Sequence, residues 1–373
     1  MKKILTLLTL LVASGWTSAE AVDWNWNGDM FYRYEINDTE GMEHNRDSHR
    51  IRVRFGAYPW ISEELTAGIQ FATDGSNPRS RVVVLGDGFA AEDFMLNQAY
   101  IDIHPMGYGL DGKTSFTFGK RDIAESLITT NDLVWDADLT LEGISVNYNR
   151  NGKKQLEGIN AIAGYYFIDE NSSSESDPFF WVAQLAYTGK TESLAYTLGA
   201  GYYNYQGIGG KSASIVDSWS DTPSFWGNSS ISEAYAYDYD ELELFVNVSG
   251  AFSGGLPWKL YGQYVVNVAE NVESDNQGYL VGATLGKTKK QGQWSLDANY
   301  SYLEKDAVLG AFTDATRFKG GTDGKGFEVA GSYMLIQNLA LSMKYFCHEG
   351  ENVTASDGME RYDTFQTTLS LKF

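Results

Sequence analysis

From Asp23 onward the chain alternates apolar and polar residues with a period of two. Trp24, Trp26, Met30, Tyr32, Tyr34 and Ile36 share one face of a first segment, with Asn25, Asn27, Asp29, Arg33 and Glu35 on the other. In the second segment Ile51, Val53, Phe55 and Ala57 alternate with Arg50, Arg52 and Arg54. The pattern returns later: Trp294, Leu296, Ala298, Tyr300 and Tyr302 oppose Ser295, Asp297, Asn299 and Ser301. Successive side chains of a strand point to opposite faces, so each segment predicts a strand with one greasy and one wet side. The full reading is sixteen strands, over 23–37, 48–58, 64–74, 93–104, 113–121, 141–150, 154–168, 178–188, 193–206, 236–253, 257–270, 278–287, 291–304, 325–336, 339–350 and 360–373. In 93–104 and 154–168 either face qualifies as apolar.

Length separates a soluble sandwich from a membrane barrel. Many of these strands run to ten residues or more, whereas soluble strands run about five or six and a tilted bilayer-spanning strand needs about 9–11. Aromatic residues collect near strand ends (Trp60, Tyr108, Tyr148, Tyr187, Trp258, Trp294, Phe373), where an interfacial girdle requires them. Short links at 59–63, 151–153, 189–192, 254–256, 288–290 and 337–338 alternate with long ones at 38–47, 75–92, 122–140, 207–235, 305–324 and 351–359. The fold class expected is therefore all-β: a transmembrane antiparallel up-and-down β-barrel of sixteen strands, with apolar faces turned to lipid. A barrel that wide is not filled by its own wall side chains and leaves an aqueous lumen unless something plugs it.

The first segment carries a different signal. Lys2-Lys3, an apolar run from Ile4 to Ala13 and small residues up to Ala21 make a secretory signal peptide over 1–21, cleaved after Ala19 or Ala21. The barrel then occupies 22–373 as one domain. Composition narrows the classes further. A net charge of −21 argues against nucleic acid as partner, since phosphate binding needs clustered Lys and Arg. The single Cys347 excludes an intramolecular disulfide framework and a cysteine-based metal centre.

Enzymatic signatures are sparse. No Gly-x-Ser-x-Gly elbow occurs, and His44 and His49 read as solvated residues near the first outer loop. Gly286-Lys287-Thr288 and Gly189-Lys190-Thr191 each lack the upstream glycine of a phosphate loop, where Val281 and Gln184 stand instead. Asp136, Asp138 and Glu142 lack the glycine-centred loop of a calcium site. The expectation is a non-enzyme without cofactor or metal.

The last residues, Thr367-Thr368-Leu369-Ser370-Leu371-Lys372-Phe373, alternate and finish on Phe. Upstream, Phe116-Thr117-Phe118-Gly119-Lys120-Arg121 leads into a long link that contains Asn131-Asp132-Leu133-Val134-Trp135-Asp136-Ala137-Asp138. Together these features resemble the Putative porin family of Gram-negative bacteria, similar in plan to sixteen-stranded general outer-membrane porins. The resemblance covers about 22 to 373. It implies Leu369, Leu371 and Phe373 as a signal read by the barrel-assembly machinery. It also implies an inward-folded loop after strand 5 that narrows the lumen, although the Pro-Glu-Phe-Gly-Gly signature of general porins is absent. Homotrimers, with lipid and lipopolysaccharide around the barrel, are implied as well. The residues themselves suggest how such a constriction works. Asp122, Glu125, Asp132, Asp136 and Asp138 in that link would confront Arg33, Arg50, Arg52 and Arg54 on the polar faces of the first two strands. Opposed charges against a low-dielectric wall set ion preference and solute size. The expected function is passive diffusion of ions and small hydrophilic solutes across the outer membrane. The alternative is a non-conducting adhesin or structural surface protein.

Overall fold

The computed structural model describes residues 22–73, 77–129, 131–170, 172, 177–350 and 360–373. The signal-peptide reading of 1–21 and the link 351–359 lie outside the described residues. Sixteen long strands follow one another: β1 (Asp23–Thr39), β2 (Arg46–Ser62), β3 (Leu65–Thr73), β4 (Phe94–Ile103), β5 (Thr114–Asp122), β6 (Thr140–Tyr148), β7 (Gly158–Phe167) and β8 (Phe179–Lys190). The circuit continues with β9 (Leu194–Gln206), β10 (Asp240–Ala251), β11 (Pro257–Asn267), β12 (Gln277–Gly286), β13 (Trp294–Leu303), β14 (Gly324–Ile336), β15 (Leu339–Gly350) and β16 (Glu360–Lys372). Each pairs antiparallel with the next. β16 pairs back onto β1 with Met30 opposite Leu371, so the sheet closes and no long edge is left open. A two-residue strand, Val83–Val84, adds to β2.

The greasy faces look outward. Trp24, Trp26, Leu198, Leu260, Leu296 and Val329 are all exposed, while Glu35, Gln70, Gln184, Gln263 and Asn267 on the opposite faces are buried. A water-soluble sandwich would have these two sets exchanged. The long links gather at one rim and the short ones at the other, as such barrels require. Several expected boundaries move, and two starts move by four residues. The segment read as 154–168 begins its barrel strand at Gly158, because Lys154–Gln155 instead pairs with Arg150–Asn151 in a small hairpin. The segment read from 236 enters the wall only at Asp240, because Tyr239 is held inside by its hydroxyl bond to Asp306.

The link after β5 folds into the lumen for local reasons. Asp122 accepts a hydrogen bond from the Ala124 N–H at 2.9 Å and caps the single-turn helix α1 (Ile123–Ser126). Arg150 donates to the Ala124 and Leu127 carbonyls, each at 3.0 Å, at the other end of that turn. The chain then crosses to the far wall, where Gln184 of β8 both accepts from Ile128 N–H (2.7 Å) and donates to its carbonyl (3.1 Å). Trp135 beds among Phe180, Tyr203, Tyr205 and Phe312, its ring 5.3 to 6.3 Å from theirs. The 207–239 and 304–323 links close over this bed: Asn228 donates to the Lys305 and Val308 carbonyls, and Asp306 accepts from Ser229 and Tyr239. The lumen is thus divided. Against β7 to β13 it is packed with buried apolar side chains; along β16 and β1 to β6 it stays open.

Candidate functional site

The open side is lined by a charged ladder whose order follows from strand register. Inward positions pair across β1 and β2 as Arg33 with Arg50, Phe31 with Arg52, and Asp29 with Arg54. Rungs are two residues apart, about 7 Å along the strand. Arg52 Nη1 lies 2.9 Å from both carboxylate oxygens of Asp138, and its Nη2 lies 3.2 Å from Asp29. Arg54 donates through Nε to Asp29 (2.9 Å) and through Nη1 to Asp138 (3.1 Å). Two guanidiniums and two carboxylates therefore form a closed square between the barrel wall and the inward link. One rung pair above, Glu35 forms an ion pair with Arg50 (2.7 Å) and accepts from Asn37 (3.0 Å) and Gln366 (2.9 Å). Arg33 is left with Thr368 (3.1 Å) and a 3.9 Å ion pair to Glu35. Buried Phe31 separates the two groups, with the guanidiniums of Arg33 and Arg52 each 4.7 Å from its ring centre.

The five acids of the inward link part company. Asp138 alone meets the arginine row. Asp132 and Asp136 turn toward the 304–323 link: Asp136 accepts from the Ala315 N–H at 2.8 Å and from its own link at Asp138 N–H (2.7 Å). Burial, then the carboxylates of Asp314, Asp138 and Asp132, push the Asp136 carboxyl well above the ordinary range. Burial and Asp314 push Asp132 up to about 7, against the pull of Lys344 and Arg317. Asp122 and Glu125 face the short-link end, where Asp122 pairs with Lys153 (3.0 Å) and Glu125 with Arg121 (2.9 Å). Arg121 also holds Asp102 at 2.9 Å.

Two water-accessible cavities flank the square. One of about 1220 Å³ opens toward the short links and is lined by Asp29, Arg54, Gln98, Arg121 and Arg150 among others. The other, about 390 Å³, lies toward the long links beside Glu35, Arg50, Thr316 and Lys319. Arg52 with Asp138 stands between them. The arrangement can screen a solute by charge and size.

Sequence reasoning put Asp29 and Glu35 on the polar face without singling them out, although their spacing against the Arg50, Arg52, Arg54 row carries the signal. Phe31, Arg121, Arg150 and Gln184 were missed; a lone Phe beside outward Tyr32 gives no hint of its direction. On β16, Leu369 and Phe373 face outward and are exposed, and Leu371 pairs with outward Met30 and Leu339. Phe373 exchanges backbone hydrogen bonds with Gly28 at 2.8 and 3.0 Å. His348 is buried against Phe318, Phe346 and Tyr362.

The profile of the family described as Putative porin matches residues 20–236 and 228–373. Among solved structures, a high-pH structure of OprB from Pseudomonas putida superposes with a TM-score of 0.62 at 12% identity, covering 94% of each chain. OmpT of Vibrio cholerae, in its trimer form, gives 0.52 at 12% identity over 95% of this chain and 100% of that one. A mutant porin of Rhodopseudomonas blastica gives 0.51 at 13%, covering 94% and 100%. At such identities the likeness is one of fold. No curated protein matches the sequence.

Proposed function

The chain belongs to the Putative porin family and is an outer-membrane porin, and from that premise we propose that it passes small hydrophilic solutes by passive diffusion through a constriction formed by Arg52, Arg54, Asp29 and Asp138. The observation that carries this reading is the ion-paired square lying between two water-accessible cavities. A solute that crosses must exchange its hydration for fixed donors and acceptors of both signs. Polar and charged solutes find such partners; apolar ones lose water and gain nothing. The field between the guanidiniums and carboxylates is strong because the surrounding wall is of low dielectric. Permeation makes and breaks no covalent bond, so in this reading no side chain is catalytic and no cofactor takes part.

The same reading makes 1–21 an export signal and 22–373 one barrel domain bathed in lipid and lipopolysaccharide. The outward edge of Leu369, Leu371 and Phe373 is what the assembly machinery grips. A homotrimer fits, supported by the trimer form of the Vibrio OmpT; the link around fully exposed Phe89 offers a latch to a neighbouring copy. Planar-bilayer recording tests the core of the proposal. Stepwise openings are expected from the purified protein, with conductance and ion selectivity altered in Arg52→Ala and Arg54→Ala. Unchanged values in both variants would remove these residues from the pore. Silence despite verified insertion would favour the non-conducting adhesin.

A further inference from the structure

The lipid-facing wall is not uniform. On the outer surface of β11 to β15, near the short-link rim, two grooves of about 590 and 450 Å³ open side by side. The first runs over Ala283 and Ala298, which register between Leu260 and Val329. The second runs over Gly331, which registers between Leu296 and Met343. Leu296 lines both and forms the ridge between them. Their walls are hydrocarbon, because Thr284 and Asp297 of the same strands turn inward and bond each other at 2.6 Å. From Trp294 to Ala298 the wall runs about 13 Å along the strand, close to half of a ~30 Å hydrocarbon core. Each groove thus matches an acyl chain of a single leaflet.

The rim beside the grooves is basic. The turns over 252–257, 287–293 and 337–338 carry Lys287, Lys289 and Lys290 and no Asp or Glu, in a chain of net charge −21. All three lysines are exposed. Among the described residues none of them is ion-paired, whereas Lys153 and Lys190 of other short links pair with Asp122 and Glu157. Their turn is held in place. Gln293 accepts from the Lys289 and Lys290 N–H groups at 3.1 and 2.9 Å, and Gly292 N–H donates to the Met334 carbonyl of β14 at 2.9 Å. Trp258 and Trp294, at the ends of the grooves, mark the level where hydrocarbon gives way to headgroups.

We propose that this face binds one anionic diacyl phospholipid of the periplasmic leaflet, the side on which short links lie. One chain occupies each groove, astride Leu296, and the phosphate and headgroup rest against the three lysines. Charge complementarity selects the occupant. A zwitterionic lipid fills the same grooves but gains less from unpaired ammonium groups. A second copy docked face to face would set lysine against lysine. The link around Phe89 follows β3, on the opposite side of the sixteen-strand circuit, so a trimer latched there leaves this face in lipid. The site stands whether or not the lumen conducts.

Native mass spectrometry of the detergent-released barrel tests it, with phosphatidylglycerol and phosphatidylethanolamine of the same chains at equal concentration. One retained phosphatidylglycerol is expected, preferred about tenfold or more, since each lysine at an anionic surface contributes about fivefold. Replacing the three lysines together (Lys287→Gln, Lys289→Gln, Lys290→Gln) should bring that preference close to one. Ala298→Phe, which fills the first groove, should cut retention of both lipids. The heat-dependent shift in gel mobility identifies folded protein; should Ala298→Phe not fold, the lysine variant decides alone. Equal retention of the two lipids by the native barrel, or an undiminished preference in the lysine variant, would overturn the site. So would unaltered retention in folded Ala298→Phe, or paired barrels carrying no lipid, which would give the face to a second copy.

Discussion

Where β8, β9 and β12 turn Phe180, Val182, Tyr203 and Leu280 into the lumen, β16, β1 and β2 turn Gln366, Glu35 and Arg52. Both walls obey the same two-residue period, and both bury their inner face, yet one meets a bed of loop side chains and the other meets water. The difference teaches that a wide barrel has two separate jobs for its interior. The packed side anchors the inward link from Ile128 to Trp135. The open side receives only that link's far end, Asp138, and spends it on the arginines. In the proposed channel, mechanical hold and solute contact thus fall to different walls.

The strongest way to break this division is Trp135→Ala. Removing a buried indole from among four rings costs about 3–5 kcal/mol, and thermal unfolding in detergent, followed by the heat-dependent shift in gel mobility, should move down accordingly. Gln184→Leu comes next. It removes both bonds to Ile128 and strands a buried N–H and C=O, for about 1–3 kcal/mol; limited proteolysis should then cut the 127–138 segment faster. Asp138→Asn should act chiefly on selectivity, shifting the reversal potential toward anions, since it takes one carboxylate from the square and leaves the packed bed around Trp135 untouched. A stability loss in Asp138→Asn as large as that of Trp135→Ala would erase the distinction between the walls.

A further expected effect is one of pH. With its carboxyl pushed up to about 7 from an ordinary 3.8, Asp132 binds its proton more tightly in the folded protein than in the unfolded chain. Its contribution therefore favours the fold at low pH and is lost as pH rises from about 4 to about 7. Thermal unfolding of Asp132→Asn beside the native chain across that range checks it: the variant's stability should fall less steeply with rising pH, the remaining slope coming from Asp136.

The sixteen strands and their orientation were legible because a lipid-facing strand must alternate, as Ile51, Val53 and Phe55 do against the arginines. The packed side was not, since its strands are apolar on both faces: in β8, Phe180 and Val182 point in while Trp181 and Leu185 point out. This is also why 154–168 gave no preferred face. Among the link acids, Asp132, Asp136 and Asp138 look equivalent in sequence. Their fates diverge through a local turn, in which Asp136 accepts from the Asp138 N–H, and through the 304–323 link, which no short-range pattern brings near.

Arg33 and Thr368, hydrogen bonded across the junction of β1 and β16, are 335 positions apart in the chain. The stripe of wall that carries the proposed constriction adjoins the seam where the sheet is zipped shut. An unzipped intermediate thus has no conduit at all: the arginine row of β1 and β2 sits at one margin of an open ribbon with Thr368 and Gln366 at the other, and sealing the cylinder and creating the passage are one event.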